Sequence, residues 1–245
     1  TTLSGGFFDS ETATQNVSGG TASNTVVGYR GFEYIQSGGV ASGTLVQSGG
    51  SQCAASGGTA YGTIVSGGFL SAYGGAISGA VIHDGSGQIF GTVQDMTLHS
   101  GYVWFRTGCI ADGVTVSGGR VETSNAEIHN LTIHSGGTGT IGAGTLYDTK
   151  LLGGNVSIFH VEQTDFHRMT ISGGTALIES RTALRDTVLQ DGVLNLRNIS
   201  GSGNGAFDTI VEGGSMVLLE GAVATGTILR GGSQILAGAA ENGAV

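Results

Sequence analysis

Twelve times along this chain a branched aliphatic residue recurs at a spacing near 18 residues, and this recurrence restricts the fold more than any other feature. Anchoring on the residue before it gives Thr25, Thr44, Thr63, Ala80, Thr97, Thr115, Thr132, Lys150, Thr170, Thr187, Thr209 and Thr227. The gaps are 19, 19, 17, 17, 18, 17, 18, 20, 17, 22 and 18 residues, with a mean of 18.4. The residues that follow are Val26, Leu45, Ile64, Val81, Leu98, Val116, Ile133, Leu151, Ile171, Val188, Ile210 and Ile228. A fixed period of this length marks a repeat architecture, in which each unit buries apolar surface only against its neighbours. It is too long for one hairpin strand and too irregular for a heptad.

A second apolar position lies four residues past a corner glycine: Ile35, Ala54, Ala72, Ile89, Phe105, Thr123, Ile141, Ile158, Ile178, Leu196, Leu218 and Leu236. A third, looser one begins with Ala22, Ala41, Ala60 and Ile77. Three short apolar segments per repeat, separated by glycine corners, describe a three-sided coil of parallel strands. The expected fold is therefore an all-β parallel β-helix (solenoid) with about 12–13 rungs of 17–22 residues. Composition agrees, because 48 of the 245 residues are Gly and none is Pro. Glycine suits corners with φ > 0, and proline would remove a ladder donor from strands that are all central. With rungs ~4.8 Å apart, the eleven intervals make a rod of roughly 50 Å. Residues 1–16, with Phe7 and Phe8, fit the repeat badly and are expected to form an N-terminal cap or an irregular first rung. Residues 17–245 form the repeats, and the stop at Val245 suggests a fragment boundary.

The charge balance excludes some partners. Nine Lys+Arg against 18 Asp+Glu give a formal charge of −9, so the basic footprint expected for nucleic acid or an anionic membrane is missing. No apolar run approaches the ~20 residues that span a bilayer, so direct membrane insertion is not expected. Without a basic-then-apolar leader or an initiator Met, the chain looks like a mature or excised piece. Cys53 and Cys109 have no metal or redox spacing. They are about three rungs apart, beyond the ~7 Å limit for a disulfide, so two free thiols are expected.

The units SGGVASGTLVQSGGSQ, SGGTAYGTIVSGG and GAVATGTILRGGSQ resemble the repeats of AIDA-type autotransporter passengers, the self-associating adhesins of Gram-negative bacteria. The match is close over residues 17–75 and 205–239 and degenerate between about 80 and 205. The resemblance implies a right-handed coil, type V secretion, and tethering to the cell surface through a C-terminal outer-membrane barrel that is absent from this sequence. It further implies host-cell adhesion, autoaggregation and biofilm formation, and O-glycosylation with heptose by a dedicated heptosyltransferase. The implied partners are the chain itself and host receptors or glycans. No cofactor or metal is implied.

Candidate sites follow from position in the repeat. Nine serines precede a Gly-Gly corner and are candidate sugar acceptors: Ser4, Ser18, Ser37, Ser48, Ser56, Ser66, Ser117, Ser135 and Ser172. The competing reading is that they satisfy turn backbone groups. Strand alternation sends Phe32, Tyr34, Phe69, Tyr102 and Trp104 outward on one face, where an aromatic patch marks an interaction surface or stiffens the coil. Asp95, Asp112, Asn130 and Asp148 recur before the anchor as a ladder of solvated surface groups, with Lys150 as counter-charge. His99 and His134 share a phase, but two rungs separate them, too far for one metal. Thr at the anchor suggests an ice-binding rank, but only one Thr per rung recurs. His160, Glu162, Asp165, His167 and Arg168 form the densest polar group, and a carbohydrate-active enzyme or glycan-binding site near 160–168 is the alternative function. The preferred expectation is a surface adhesin, not an enzyme, with avidity from many weak contacts.

Overall fold

In a computed structural model the chain is an all-β parallel β-solenoid of about 12 turns. Residues 2–3, 12–158, 163–179, 181–197, 204–238 and 240–242 are described. Two compact units divide the chain, Thr1–Thr115 and Val116–Val245.

Each rung supplies three short strands. In the first unit one rung runs Val26–Val27, Gly31–Ile35 and Val40–Ser42, and the next runs Leu45–Gln47, Ser51–Ala55 and Thr59–Tyr61. Equivalent strands pair in parallel, with Val26 opposite Leu45, Phe32 opposite Ser51 and Val40 opposite Thr59. The second unit repeats the arrangement, with Thr132 opposite Lys150, Thr138 opposite Asn155 and Thr145 opposite Asp165. In four rungs the first and second strands are continuous, as in Ile64–Tyr73 and Thr170–Glu179. Register shifts there keep the corner as a bulge. Near the start, Thr2–Leu3 pairs with Val26–Val27 and Ala13–Val17 with Gly31–Ile35. These segments of 1–16 are rung strands, while Phe7 and Phe8 lie outside the described residues.

The interior corrects the parity of the first strand. Seven of the twelve aliphatics after the anchors point outward: Val26, Leu45, Ile64, Val81, Val188, Ile210 and Ile228 are half-buried or exposed. The residues on either side face in, except Leu229 after Ile228, which is exposed. Thr25, Thr44, Thr63, Thr187 and Thr209 are buried, as are Val27, Val46, Val65, Leu189 and Val211. In the middle of the chain the alignment slips by one, and the true anchors are Met96, Val114, Leu131, Thr149 and Met169, all buried. Because side chains alternate strictly, a slip of one residue exchanges core for solvent. The inward Thr column also removes the basis for an ice-binding rank. The fourth position past the corner is buried as expected in eleven of twelve cases; only Leu236 is exposed.

The corner before the anchor has its own rule. Asn24, Gly43, Gly62, Gly79, Asp95 and Gly113 occupy it in the first unit, and Asn130, Asp148, Arg168, Asp186, Asp208 and Gly226 in the second, all with positive φ. Asn and Asp are the side-chain-bearing residues that best tolerate this conformation. At the other corners a positive-φ glycine such as Gly38 comes first, and close approach fixes the next: a Cβ on Gly39 would fall on the Val17 carbonyl.

The first unit also buries a polar spine. Glu33 and Gln52 are completely inaccessible on adjacent rungs. Glu33 Oε2 accepts from Thr44 Oγ1 at 2.8 Å and Gln52 Nε2 at 2.6 Å, and Thr63 Oγ1 donates to Gln52 Oε1 at 2.7 Å. Glu33 Oε1 is buried without a partner. Three inward threonines thus find side-chain acceptors in the rung below, Thr25 doing so at 3.4 Å from Gln15 Oε1.

Candidate functional site

The five candidate face residues do alternate outward. Phe32 and Tyr34 flank buried Glu33, Phe69 precedes buried Leu70, and Tyr102 and Trp104 flank buried Val103. They share a face but not one stack. Register sets Phe69 between Ser51 and Ser86, and Trp104 beside Gln88. Only Phe32 and Tyr34 stack within the set, at 5.9 Å between ring centroids. The continuous stack lies one corner further on. Tyr73 packs on Phe90 at 5.2 Å, and the Arg106 guanidinium lies over Phe90 at 5.2 Å and over Trp104 at 3.7 Å. The stretch before the stack is almost uncharged. Between residues 12 and 83 only Arg30 and Glu33 are formally charged, and Glu33 is buried.

The corner serines fall into two columns rather than one. Ser18, Ser37 and Ser56 precede the third strands on successive rungs, whereas Ser48, Ser66, Ser117, Ser135 and Ser172 sit between first and second strands. Ser18, Ser37, Ser48, Ser56, Ser66 and Ser135 are exposed, while Ser117 and Ser172 are half-buried. Ser172 Oγ donates to Gln190 Oε1 at 2.6 Å. Ser4 lies outside the described residues.

No protein-family model matches the sequence, and no curated protein matches it. A solved structure does. A crystal structure of a TibC-catalysed hyper-glycosylated TibA fragment superposes with a TM-score of 0.81 at 22% identity, covering 99% of this chain and 97% of that one. The likeness is one of fold. It places this chain among parallel β-solenoids.

In the second unit the pairing brings together a ladder that the repeat alignment missed. His129 stacks on Tyr147 at 4.7 Å and Tyr147 on His167 at 5.0 Å; Arg185 then lies over Phe207 at 4.9 Å. Each is the last residue of a third strand, and all follow a buried core residue. Beside it, Arg168 holds Asp148 through Nε and Nη2, each at 2.7 Å. That hydrogen-bonded guanidinium keeps the Asp148 carboxyl below its ordinary range, with smaller help from His129 and Lys150. The main counter-charge is therefore Arg168, not Lys150.

The carboxylate ladder itself is broken. Asp95 and Asp148 occupy positive-φ corners, but Asp112 ends the third strand opposite Gln94 and Gly113 takes the corner. Asp95 and Asp148 suit the positive-φ corner conformation that they occupy. Between Asp186 and Asp208 a cavity of about 250 Å³ opens over Val188, Ile210 and Ile228.

The remaining candidates have separate roles. His160 and Glu162 lie outside the described residues. Asp165 accepts from Gln163 Nε2 at 2.9 Å, His167 stacks on Tyr147 and Arg168 pairs with Asp148. In the first unit His99 stacks on His83 at 5.0 Å, a neighbour hidden by the alignment slip. Cys53 and Cys109 are free and buried. Burial pushes the Cys109 thiol up to about 12; it also raises Cys53, against a hydrogen bond with Ser71.

Proposed function

We propose that this chain is the adhesin-like passenger of a Gram-negative autotransporter, displayed outside the cell and acting by binding rather than catalysis. The observation that carries the reading is the division of the surface in the first unit. Aromatic side chains and exposed serines repeat along a solenoid whose charges are nearly absent between residues 12 and 83. Such a face favours contact with another neutral surface and repeats each weak contact along the axis, so that avidity replaces affinity. The chemistry suits both association between rods on neighbouring cells, leading to autoaggregation and biofilm, and attachment to host receptors or glycans.

The AIDA-like repeats support a second part of the proposal, O-heptosylation by a bacterial transferase. Likeness in fold to a hyper-glycosylated fragment agrees with it. The exposed corner hydroxyls Ser18, Ser37, Ser48, Ser56, Ser66 and Ser135 are the preferred acceptors, because flanking glycines leave them uncrowded. Ser172 is disfavoured by its bond to Gln190.

The test is to display the full passenger on a non-aggregating bacterium with and without its transferase, scoring settling and host-cell attachment separately, and to weigh the released chain. Gain of either behaviour supports the binding role, and added heptose masses support the modification. Cells that neither settle nor attach in either background contradict the proposal.

A further inference from the structure

Arg106 packs on aromatic rings rather than on an acid. It ends the column Tyr73, Phe90, Arg106 on three successive rungs, with Trp104 beside it on its own rung. Its guanidinium carbon lies over the Trp104 ring, 3.7 Å from the centroid, and over Phe90, 5.2 Å from its centroid. No salt bridge to Arg106 exists among the described residues. Arg120, Arg168, Arg197 and Arg230 do have carboxylate partners, whereas Arg106, like Arg185 over Phe207, is held by an aromatic contact. A guanidinium covered by rings loses hydration from its faces and keeps its N–H fork at the edge, in the plane that matches a carboxylate or sulfate bidentately.

The other end of the column is a ring platform. Tyr73 is 50% exposed, and its neighbour on the preceding rung is Ala55, whose single methyl leaves the second ring face open. Its hydroxyl lies 3.4 Å from Gln88 Oε1, a weak contact that a ligand hydroxyl can replace. Tyr73 and Arg106 stand two rungs apart, roughly 10 Å. A ligand that uses both ends must therefore be extended, must carry an acidic group, and must offer C–H faces and hydroxyls to an aromatic surface.

We propose that the Tyr73–Phe90–Trp104–Arg106 column binds an acidic oligosaccharide, with the Arg106 fork on a uronate-type carboxylate and the adjoining sugar rings against Phe90 and Tyr73. The inference rests on the binding role proposed above and gives its face a ligand class. In a protein of net charge −9, none of the four residues of this column is acidic.

Trp104 is the chain's single tryptophan, so its emission reports directly on the group stacked above it. The purified chain is titrated with tri-galacturonate, maltotriose and sodium acetate at low ionic strength. Tri-galacturonate should change Trp104 emission saturably, with the neutral sugar and the bare carboxylate each at least ~10-fold weaker, about 1.4 kcal/mol. Arg106→Lys keeps the charge and loses the fork; it should weaken tri-galacturonate at least ~10-fold with unchanged circular dichroism. Tyr73→Ala should weaken tri-galacturonate and leave acetate unaffected. No saturable change, equal response to acetate, or wild-type affinity in Arg106→Lys overturns the proposal. If titration fails while displayed passengers still settle or attach, the ligand class is wrong and the adhesin reading stands.

Discussion

Substituting threonine at two consecutive valines, Val26 and Val27, separates the inner from the outer wall of the coil. Both are β-branched positions in one short strand, and threonine keeps that branching, so strand propensity barely changes in either variant. Only the environment differs. Val27 is completely inaccessible and pairs with buried Val46, whereas Val26 is half-buried and opposite Leu45, which also faces out. A hydroxyl at Val27 enters an aliphatic column with no acceptor, costing about 1–3 kcal/mol for the unsatisfied group. At Val26 the hydroxyl reaches water, and the cost should stay near ~0.5 kcal/mol, as for other surface changes. For a chain of this size the Val27→Thr penalty corresponds to a fall in Tm of about 2–12 °C. Thermal unfolding by circular dichroism reads the difference. Amide exchange in the strands Gly31–Ile35 and Leu45–Gln47 then localises it, because solenoid stability is close to a sum over neighbouring rungs. Equal losses for the two variants, or a larger loss for Val26→Thr, would refute the inward assignment of the threonine column.

Three further outcomes follow from the interior and the corners. Gln52→Leu strips Glu33 of one donor and Thr63 of its acceptor, and should destabilise by about 1–3 kcal/mol; adding Glu33→Leu should recover part of that loss in urea melts, and a double variant worse than the single contradicts the paired spine. Asp148 is held below the usual carboxylate value by Arg168, so the pair contributes above the unfolded-state value of ~3.9 and fades as pH falls through the depressed folded one. Arg168→Gln should bring the Asp148 carboxyl titration, followed by carbon NMR, back upward, and an unmoved titration denies the assigned cause. With its thiol near 12 and fully buried, Cys109 should resist iodoacetamide at pH 8 in the native chain and react in urea, since the thiolate is the nucleophile; rapid native labelling at Cys109 would contradict its place inside.

The period, the glycine corners and the second-strand core were legible in the sequence because each is a recurring residue type at fixed distance. The inner wall of the first strand was not, since threonine and valine alternate there and either fits a pleated strand. Alignment on Thr97, Thr115 and Thr132 follows composition, whereas the backbone is fixed two residues earlier, at the positive-φ corners Asp95, Gly113 and Asn130. Anchoring on Asn24, Gly43, Gly62, Gly79, Asp95 and Gly113 instead would have set the parity and aligned His83 with His99. The same choice brings His129, Tyr147, His167, Arg185 and Phe207 into one column. Glu33 was readable in principle: it stands between two outward aromatics, so alternation alone sends it into the core. What sequence spacing does not contain is pairing across rungs, such as Arg168 with Asp148 or Arg106 over Phe90. Those depend on side-chain reach at a corner, not on period.

The most direct test of the binding proposal is the settling and host-cell attachment of bacteria displaying the chain with Tyr102→Ala and Trp104→Ala together, compared with the unchanged chain at equal surface amount. Both residues are outward on the second strand and flank buried Val103, so the coil should persist. The account expects at least one of the two behaviours to fall substantially while the surface level and β-sheet signal are kept. Unchanged settling and unchanged attachment would contradict it and leave those aromatics as stiffening of the rod.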